Sequence, residues 1–516
     1  MTQPQQRPLP PFAPMTNGQS LPRAQIPDLP LAEFQMAILE AARRSQRVVA
    51  LFGVPNPADV SHVALYVVLA DDQHNRLNVA YTDVGVDAYP SLTPQCPQVH
   101  LFEREIAEQY GVKPLGHPWL KPVRFHRSYR PGADAWDRGP SDVVQAGVMD
   151  FYHIEGGQVH EVAVGPIHAG VIEPGHFRFE CDGEIVLHLE ISLGYQHRGI
   201  EKAMLGGPNK RSMHYAETLA GDSTIGHASA YAGILESLGR SQVSPRAAAI
   251  RGIAMELERL ANHVGDLGAI SNDVGFLPTA SFCGRIRGDF LNMTAALCGS
   301  RFGRSLIRPG GVAFDVDTEM TADLLRRLDT AEREAMSAIN LLWETSSVMA
   351  RLENIGTVTP ETAAELGMVG PAARACGVDR DSRRDHPCGI YRFSQIPLST
   401  GHGGDVFSRA YVRALEIQRS AQFIHDQLQV LPAGDICVSV PPLQPDAIAV
   451  TLQEAWRGEL CHVALTDSQG RFERYKVVDP SFHNWLGLAM AVRGGQISDF
   501  PLCNKSFSLS YCGHDL

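Results

Sequence analysis

SPRAAAIRGIAMELERLANHVGDLGAI, residues 244–270, decides the class of the larger part of this chain. Ile250, Ile253, Ala254, Leu257, Leu260, Ala261, Val264 and Leu267 recur at three- and four-residue spacing, so they share one helix face. Ser244 followed by Pro245 is a helix start. The hydroxyl can take an orphan amide, and proline lacks the amide that a first turn leaves unpaired. Similar patterns occupy 320–352 and 404–430. Ahead of them, FYHIEGGQVHEVAVGP (151–166) and HFRFECDGEIVLHLEISLGYQHRG (176–199) read as a strand-rich opening. Residues 151–516 are expected to form a large, mostly helical domain with a small sheet at its edge.

A second, smaller unit precedes it. LAEFQMAILEAAR (31–43) has helical spacing, while RVVALFGV (47–54), HVALYVVLADD (62–72) and RLNVAYTDV (76–84) read as strands. FEREIAEQYGV (102–112) is a short helix stopped near Gly111. Residues 31–125 thus read as a small α+β domain, and 126–150, rich in Gly and Pro without a period, as a linker. Residues 1–30, dense in Pro and Gln, read as an extended or disordered tail. The fold class for the whole chain is α+β.

Composition bounds the function. With 516 residues the chain has room for roughly two to four domains. A net charge of -12 argues against a general nucleic-acid surface. Ten cysteines stand at irregular spacings with no CxxC, which disfavours a zinc ribbon, a locally ligated iron–sulfur cluster and a disulfide framework. Reduced, mostly buried thiols are expected. No basic-then-apolar leader is present, and no run approaches the ~20 apolar residues of a membrane span. Any membrane association then goes through partners.

FEREIAEQYGVKPLGHPWLKPVRF (102–125) resembles the small hydrophilic subunit of respiratory complex I, in which this module is structural. Its charged helix start and Gly116-His117-Pro118 turn read as a docking surface. VGPIHAGVIEPGHFRFECDGEIV (164–186) and ISLGYQHRGIEKAM (191–204) resemble two related proteins, the quinone-site subunit of complex I and the large subunit of nickel–iron hydrogenases. FGRSLIRPGGV (302–312), YRFSQIPLSTGHGGDVFSRAYVRALEI (391–417), EAWRGE (454–459) and the stretch 477–516 extend the likeness. The fused arrangement is that of the energy-converting, formate-hydrogenlyase type, hydrogenase-3 and hydrogenase-4.

That resemblance implies a site and removes its metal. Such hydrogenases hold nickel and iron through two CxxC pairs, because a soft thiolate set grips and bridges the metals. In AETLAGDSTIGHASAYAGILESLGR (216–240) the first pair corresponds to Ala220 and Ser223, and near the C-terminus the second corresponds to Ser506 and Leu509. Cys503 and Cys512 are nine apart and do not replace them. What the likeness retains is Glu173, matching a proton-passing glutamate, Arg457, matching an arginine over the iron ligands, and His227, one turn beyond Ser223. Each has a plainer reading: Glu173 paired with a neighbour such as Arg178, Arg457 paired with Glu459 or another acid, His227 satisfied in the core. Glu201 matches a magnesium-binding glutamate, whose partner would be His514; a packed turn is the alternative. The quinone branch uses a histidine, here His168, and a tyrosine that the loop 219–223 lacks. Arg383, Arg384 and Asp385 would face an electron-transfer partner or form a solvated loop, and the loop is favoured.

The resemblance implies a cytoplasmic subunit, peripheral on the inner face of the membrane, of an ion-translocating oxidoreductase complex. Glu173, His227 and Arg457 are its candidate catalytic residues, and His168, Ser223 and Ser506 line the candidate cofactor space. No metal is expected in the chain, a quinone is the candidate ligand, and an iron–sulfur cluster is expected on a small partner subunit beside antiporter-like membrane subunits. The chain would pass electrons to a quinone-like or other acceptor or couple redox to ion transport; a ligand-free scaffold is the alternative, and hydrogen evolution the weakest reading. The sequence stops soon after Cys512, so the encoded and mature masses are expected to agree.

Overall fold

A computed structural model describes residues 12–56, 59, 61–85, 87–139, 141–168 and 173–516. Among them two compact units separate, one holding 12–16 and 21–144, the other 17–20 and 145–516.

The smaller unit is built on an antiparallel sheet in the order Ala13–Met15, Arg76–Val84, Val63–Asp71, Arg47–Pro55. Phe52, Tyr66 and Tyr81 are cross-strand partners whose rings stack at 5.8 and 5.0 Å. Helix Leu31–Arg43 buries Phe34, Ala37, Ile38 and Ala41, the face its spacing announces. Two expectations are corrected here. The tail reading of 1–30 fails from residue 12 onward, and 1–11 lie outside the described residues. Ala13–Met15 is an edge strand on Arg76–Val84, and its Pro14 is tolerated there because an edge strand can spare one amide.

The second correction concerns the charged start of helix His100–Tyr110, expected to be a docking surface. Glu103, Glu105 and Glu108 are fully buried. Glu103 accepts from Ser91 Oγ at 2.5 Å, Leu92 N at 2.8 Å and Thr93 Oγ1 at 2.6 Å. Glu108 accepts from the amides of Val123, Arg124 and Phe125 at 3.1, 2.9 and 2.6 Å. Glu105 pairs with Arg124. These carboxylates clamp two loops to the helix, because each loop would otherwise bury amides without acceptors.

The larger unit packs helices Thr224–Leu238, Pro245–Asp273, Leu277–Cys298, Thr318–Trp343 and Val406–Gln429 around one apolar core. Ser244 Oγ accepts from Ala247 N at 3.1 Å, so the expected helix start is real. The expected opening sheet is present as Val159–Val164, His176–Asp182 and Ile185–Ser192. The sequence reading missed a second antiparallel sheet, Ala447–Ala455, Gly458–Thr466 and Phe472–Val478. Its two leading strands are buried on both faces, so they show no alternation to find. Residues 17–20 attach to it: Gly18 N bonds Val450 O at 3.1 Å, and Asn17 exchanges bonds with the Leu452 backbone at 2.9 and 2.8 Å.

Helix Thr224–Leu238 lies against this sheet. A Cβ on Gly226 would stand 2.9 Å from Leu460 and 3.0 Å from Ala455, so only glycine permits the approach. The helix is capped from a neighbour, since Glu258 takes the amides of Ile225 and Gly226 at 2.8 and 3.2 Å. Burial pushes the Glu258 carboxyl up to about 8, with the two amides working against it.

Two outcomes follow from these clamps. Glu108→Ala strands three buried amides at roughly 1–3 kcal/mol each. The smaller unit should lose at least about 3 kcal/mol in urea unfolding, with faster amide exchange at Val123, Arg124 and Phe125, whereas Glu40→Ala, which removes a partly exposed pair with Arg44, should change by no more than about 1 kcal/mol. Folded Glu258 keeps a proton that the unfolded chain releases near pH 4.3, so its contribution to stability falls as pH rises from about 4.3 to 8. Unfolding curves at pH 5 and 8 should therefore show the wild type losing stability relative to Glu258→Gln; parallel pH profiles would contradict the buried-acid account.

Candidate functional site

The loop before helix Thr224–Leu238, the turn between the strands Ala447–Ala455 and Gly458–Thr466, and the end of helix Phe500–Phe507 meet at one guanidinium. Arg457 sits in the two-residue turn Trp456-Arg457. It donates to both oxygens of Asp222, Nη1 to Oδ1 at 2.6 Å and Nη2 to Oδ2 at 2.7 Å. Its Nε donates to Ser508 O at 2.5 Å, and Nη1 reaches Ser223 Oγ at 3.4 Å. The Trp456 ring lies 4.0 Å beneath the guanidinium. The Asp222 carbonyl is fixed in turn by Trp456 Nε1 at 2.9 Å and Asn262 Nδ2 at 3.0 Å. The partner of Arg457 is therefore Asp222, while Glu459 accepts from Ser382.

Two further buried arginines, both from helix Val406–Gln429, close the C-terminal side. Arg409 Nε donates to Ser506 Oγ at 2.8 Å, its other nitrogens bond the carbonyls of Gly404 and Gly356, and it lies over the Phe507 ring at 4.4 Å. Burial among neutral acceptors pushes Arg409 down to about 10. Arg413 bonds Asp266 Oδ2 at 2.8 Å, and Ser508 Oγ bonds Asp266 Oδ1 at the same distance. Ala220, Ser223, Ser506 and Leu509 are all buried around this cluster. The fit of a nickel–iron centre can be judged from the donors present. Hydroxyl, methyl and isobutyl groups offer no soft ligand for nickel or iron. The residues do not fit that group.

The other candidate residues divide. Glu173 is half-buried beside this cluster, and its Oε2 has no hydrogen-bond partner. Burial raises its pKa, Arg457 opposes the rise and Asp222 adds to it. Arg178 is not its partner but pairs with Glu161 at 2.7 Å. His227 does not line an open space. It is fully buried, with Nδ1 3.1 Å from His462 Nε2 and Nε2 3.2 Å from Asp479 Oδ2. His462 Nδ1 continues to Tyr475 Oη at 2.8 Å, and burial together with His227 keeps His462 neutral. The plainer reading of His227 is the observed one. His168 is exposed, unlike the buried Ser223 and Ser506. Glu201 faces Arg474 at 2.9 Å and Lys476 at 3.2 Å, so two cations occupy the carboxylate that magnesium would need, and His514 bonds Asp515 instead.

A buried ion network behind the turn was missed from sequence. Arg374 pairs with Glu416 and Glu454, both at 2.7 Å. Arg259 pairs with Glu256 at 2.9 Å and bonds the carbonyls of Ala455 and Glu454, which lead into the turn. Arg383, expected in a solvated loop, is buried between Asp381 and Glu256 at 2.6 and 3.2 Å, whereas Arg384 is half-exposed beside Asp379. Arg374 and the neighbouring cations hold Glu416 well below the usual carboxylate range although burial opposes them. The only available signal was charge on apolar helix faces, Glu256 and Arg259 on one helix and Arg409, Arg413 and Glu416 on another.

Residues 273–447 match the family described as respiratory-chain NADH dehydrogenase, 49 Kd subunit, and residues 32–133 match the corresponding 30 Kd subunit family. The chain is 31% identical over 487 residues to formate hydrogenlyase subunit 5 of Escherichia coli (strain K12), covering 89% of this chain and 83% of that protein. It is 29% identical over 480 residues to hydrogenase-4 component G of the same organism, covering 89% and 82%. An NADH-quinone oxidoreductase subunit of Anaeromyxobacter sp. (strain K) is 31% identical over 344 residues, covering 65% of this chain and 90% of that protein. This chain therefore belongs to the family that joins complex I 30-kDa- and 49-kDa-type domains in one polypeptide and includes formate hydrogenlyase subunit 5 and hydrogenase-4 component G.

Proposed function

We propose that this chain is a peripheral subunit of a membrane-associated, ion-translocating oxidoreductase complex, that it holds no nickel–iron centre, and that it couples redox chemistry on neighbouring subunits to ion movement. One observation carries the reading. The segments that bear Ala220, Ser223, Ser506 and Leu509, which the reading takes as the positions of the missing thiolates, are tied together by Arg457 and Arg409. Electrons enter from an iron–sulfur small subunit, and membrane contact is made by antiporter-like partners. No helix among the described residues is long and apolar enough to cross a membrane.

A second reading has its own support. The partnerless, half-buried Glu173 oxygen beside Arg457 suits proton delivery to a quinone-like acceptor. The two readings separate in sealed vesicles that carry the complex. Arg457→Lys keeps the charge but loses the paired bonds, an interaction of roughly 1.5–3 kcal/mol. On the coupling reading, redox-driven ion uptake should fall about tenfold or more while electron flow persists. Glu173→Gln should leave electron flow intact; a matching loss of electron flow favours the quinone reading. Unchanged uptake in Arg457→Lys contradicts coupling through this site. Hydrogen evolution from a reduced dye should stay at background.

A further inference from the structure

We propose that the strands Val159–Val164 and His176–Asp182 carry a divalent-cation site built from His153, Glu161 and Glu180. It is independent of the redox reading above. Glu161 and Glu180 are direct partners in the antiparallel register, so two carboxylates share one cross-strand position. Like charges so placed repel. The Glu180 side chain is fully buried, and neither of its oxygens has a partner at hydrogen-bond geometry, the nearby Ile154 amide serving only to favour the charged form. A buried carboxylate in that state needs a proton or a cation.

The third group supplies the geometry. His153 Nδ1 is 3.0 Å from Glu161 Oε1 and 3.8 Å from Glu180 Oε1. Tetrahedral zinc with bonds of about 2.1 Å sets its ligand atoms about 3.4 Å apart, between the two observed separations. All three ligand atoms lie within 4.8 Å of one another, and no other trio of this kind occurs among the described residues. Arg178 holds the second Glu161 oxygen at 2.7 Å and packs over the Phe151 ring at 4.6 Å. It thereby fixes the carboxylate with Oε1 turned toward His153, as outer partners of metal ligands do. His153 and Glu161 are exposed, so an ion can enter from solvent.

One imidazole and two carboxylates favour zinc over magnesium, which prefers an all-oxygen octahedron. Three protein ligands leave one position for water. The ion would add a further tie between the segment 151–158, which has no strand of its own, and a sheet that it also touches through Tyr152 N to Glu190 at 2.7 Å and through the rings of Phe151 and Tyr152 against His176 and His188.

The test is zinc chloride titrated into the purified, chelator-stripped full chain, followed by calorimetry and by metal analysis after dialysis. We expect one zinc per chain, no comparable magnesium binding, and a melting temperature raised by zinc. His153→Ala and Glu180→Gln should each bind at least tenfold more weakly and lose the zinc-dependent rise, while Cys437→Ser, at the exposed thiol, should bind as the wild type does. Circular dichroism of the metal-free variants separates a lost site from a lost fold, and Glu161→Gln, on the exposed carboxylate, gives the same readout should either misfold. A wild type that takes up no zinc, or variants that bind zinc as well as the wild type, overturns the proposal.

Discussion

Arg457 and Asp222 form a two-point ion pair that decides the form of the site, because it lies where the helix-start loop, the strand turn and the C-terminal helix converge. Removing Asp222 leaves the buried guanidinium without its paired acceptor, at less than the about 3–5 kcal/mol of a fully buried pair because Asp222 is partly exposed. Exchanging such a pair for apolar groups can be neutral, so the pair is better understood as setting geometry than as adding stability. It holds Ser223 and Ser508 to one centre and leaves Glu173 as the adjacent carboxylate with an unused oxygen.

The turn can carry a buried guanidinium because the network behind it is charge-matched. Arg259 reaches the carbonyls of the strand that leads into the turn, and Arg374 locks that strand's Glu454 to Glu416 of helix Val406–Gln429. Within the network the carboxyls are driven apart. Arg383 and Arg374 bring Asp381 down to about 2 against the opposing effect of burial, whereas burial and the Asp381 charge lift Glu454 to about 7. A cluster in which one carboxyl stands near neutrality can trade a proton for a small rearrangement, which is the property a coupling element needs.

Much of the fold was legible in the chain. Helices 31–43 and 244–270 followed from spacing and, for the second, from its cap. Pattern failed where burial is two-sided or where polar groups turn inward. The strands Ala447–Ala455 and Gly458–Thr466 have no solvent face, so alternation could not mark them. Glu103, Glu105 and Glu108 looked like surface charge because a sequence does not reveal which amides a carboxylate will serve. At the site the residue types were readable but their partners were not. Arg457 was found through resemblance, yet Asp222, Arg409 and Arg413 acquire meaning only when distant segments meet. Arg383 was misjudged for the same reason, since its partner Glu256 lies 127 residues away, and the core setting of His227, the plainer of its two readings, is completed by Asp479, 252 residues away.

The family includes formate hydrogenlyase subunit 5 and hydrogenase-4 component G, and in this chain the segments around Ser223, Ser506 and Ser508 meet at buried arginines. The most direct measurement is the nickel and iron content of this chain isolated from its assembled complex after expression with the full hydrogenase maturation machinery. The account requires nickel at background, far below one atom per chain, and no iron bound by this subunit. Close to one nickel per chain, with iron beside it, would contradict the account.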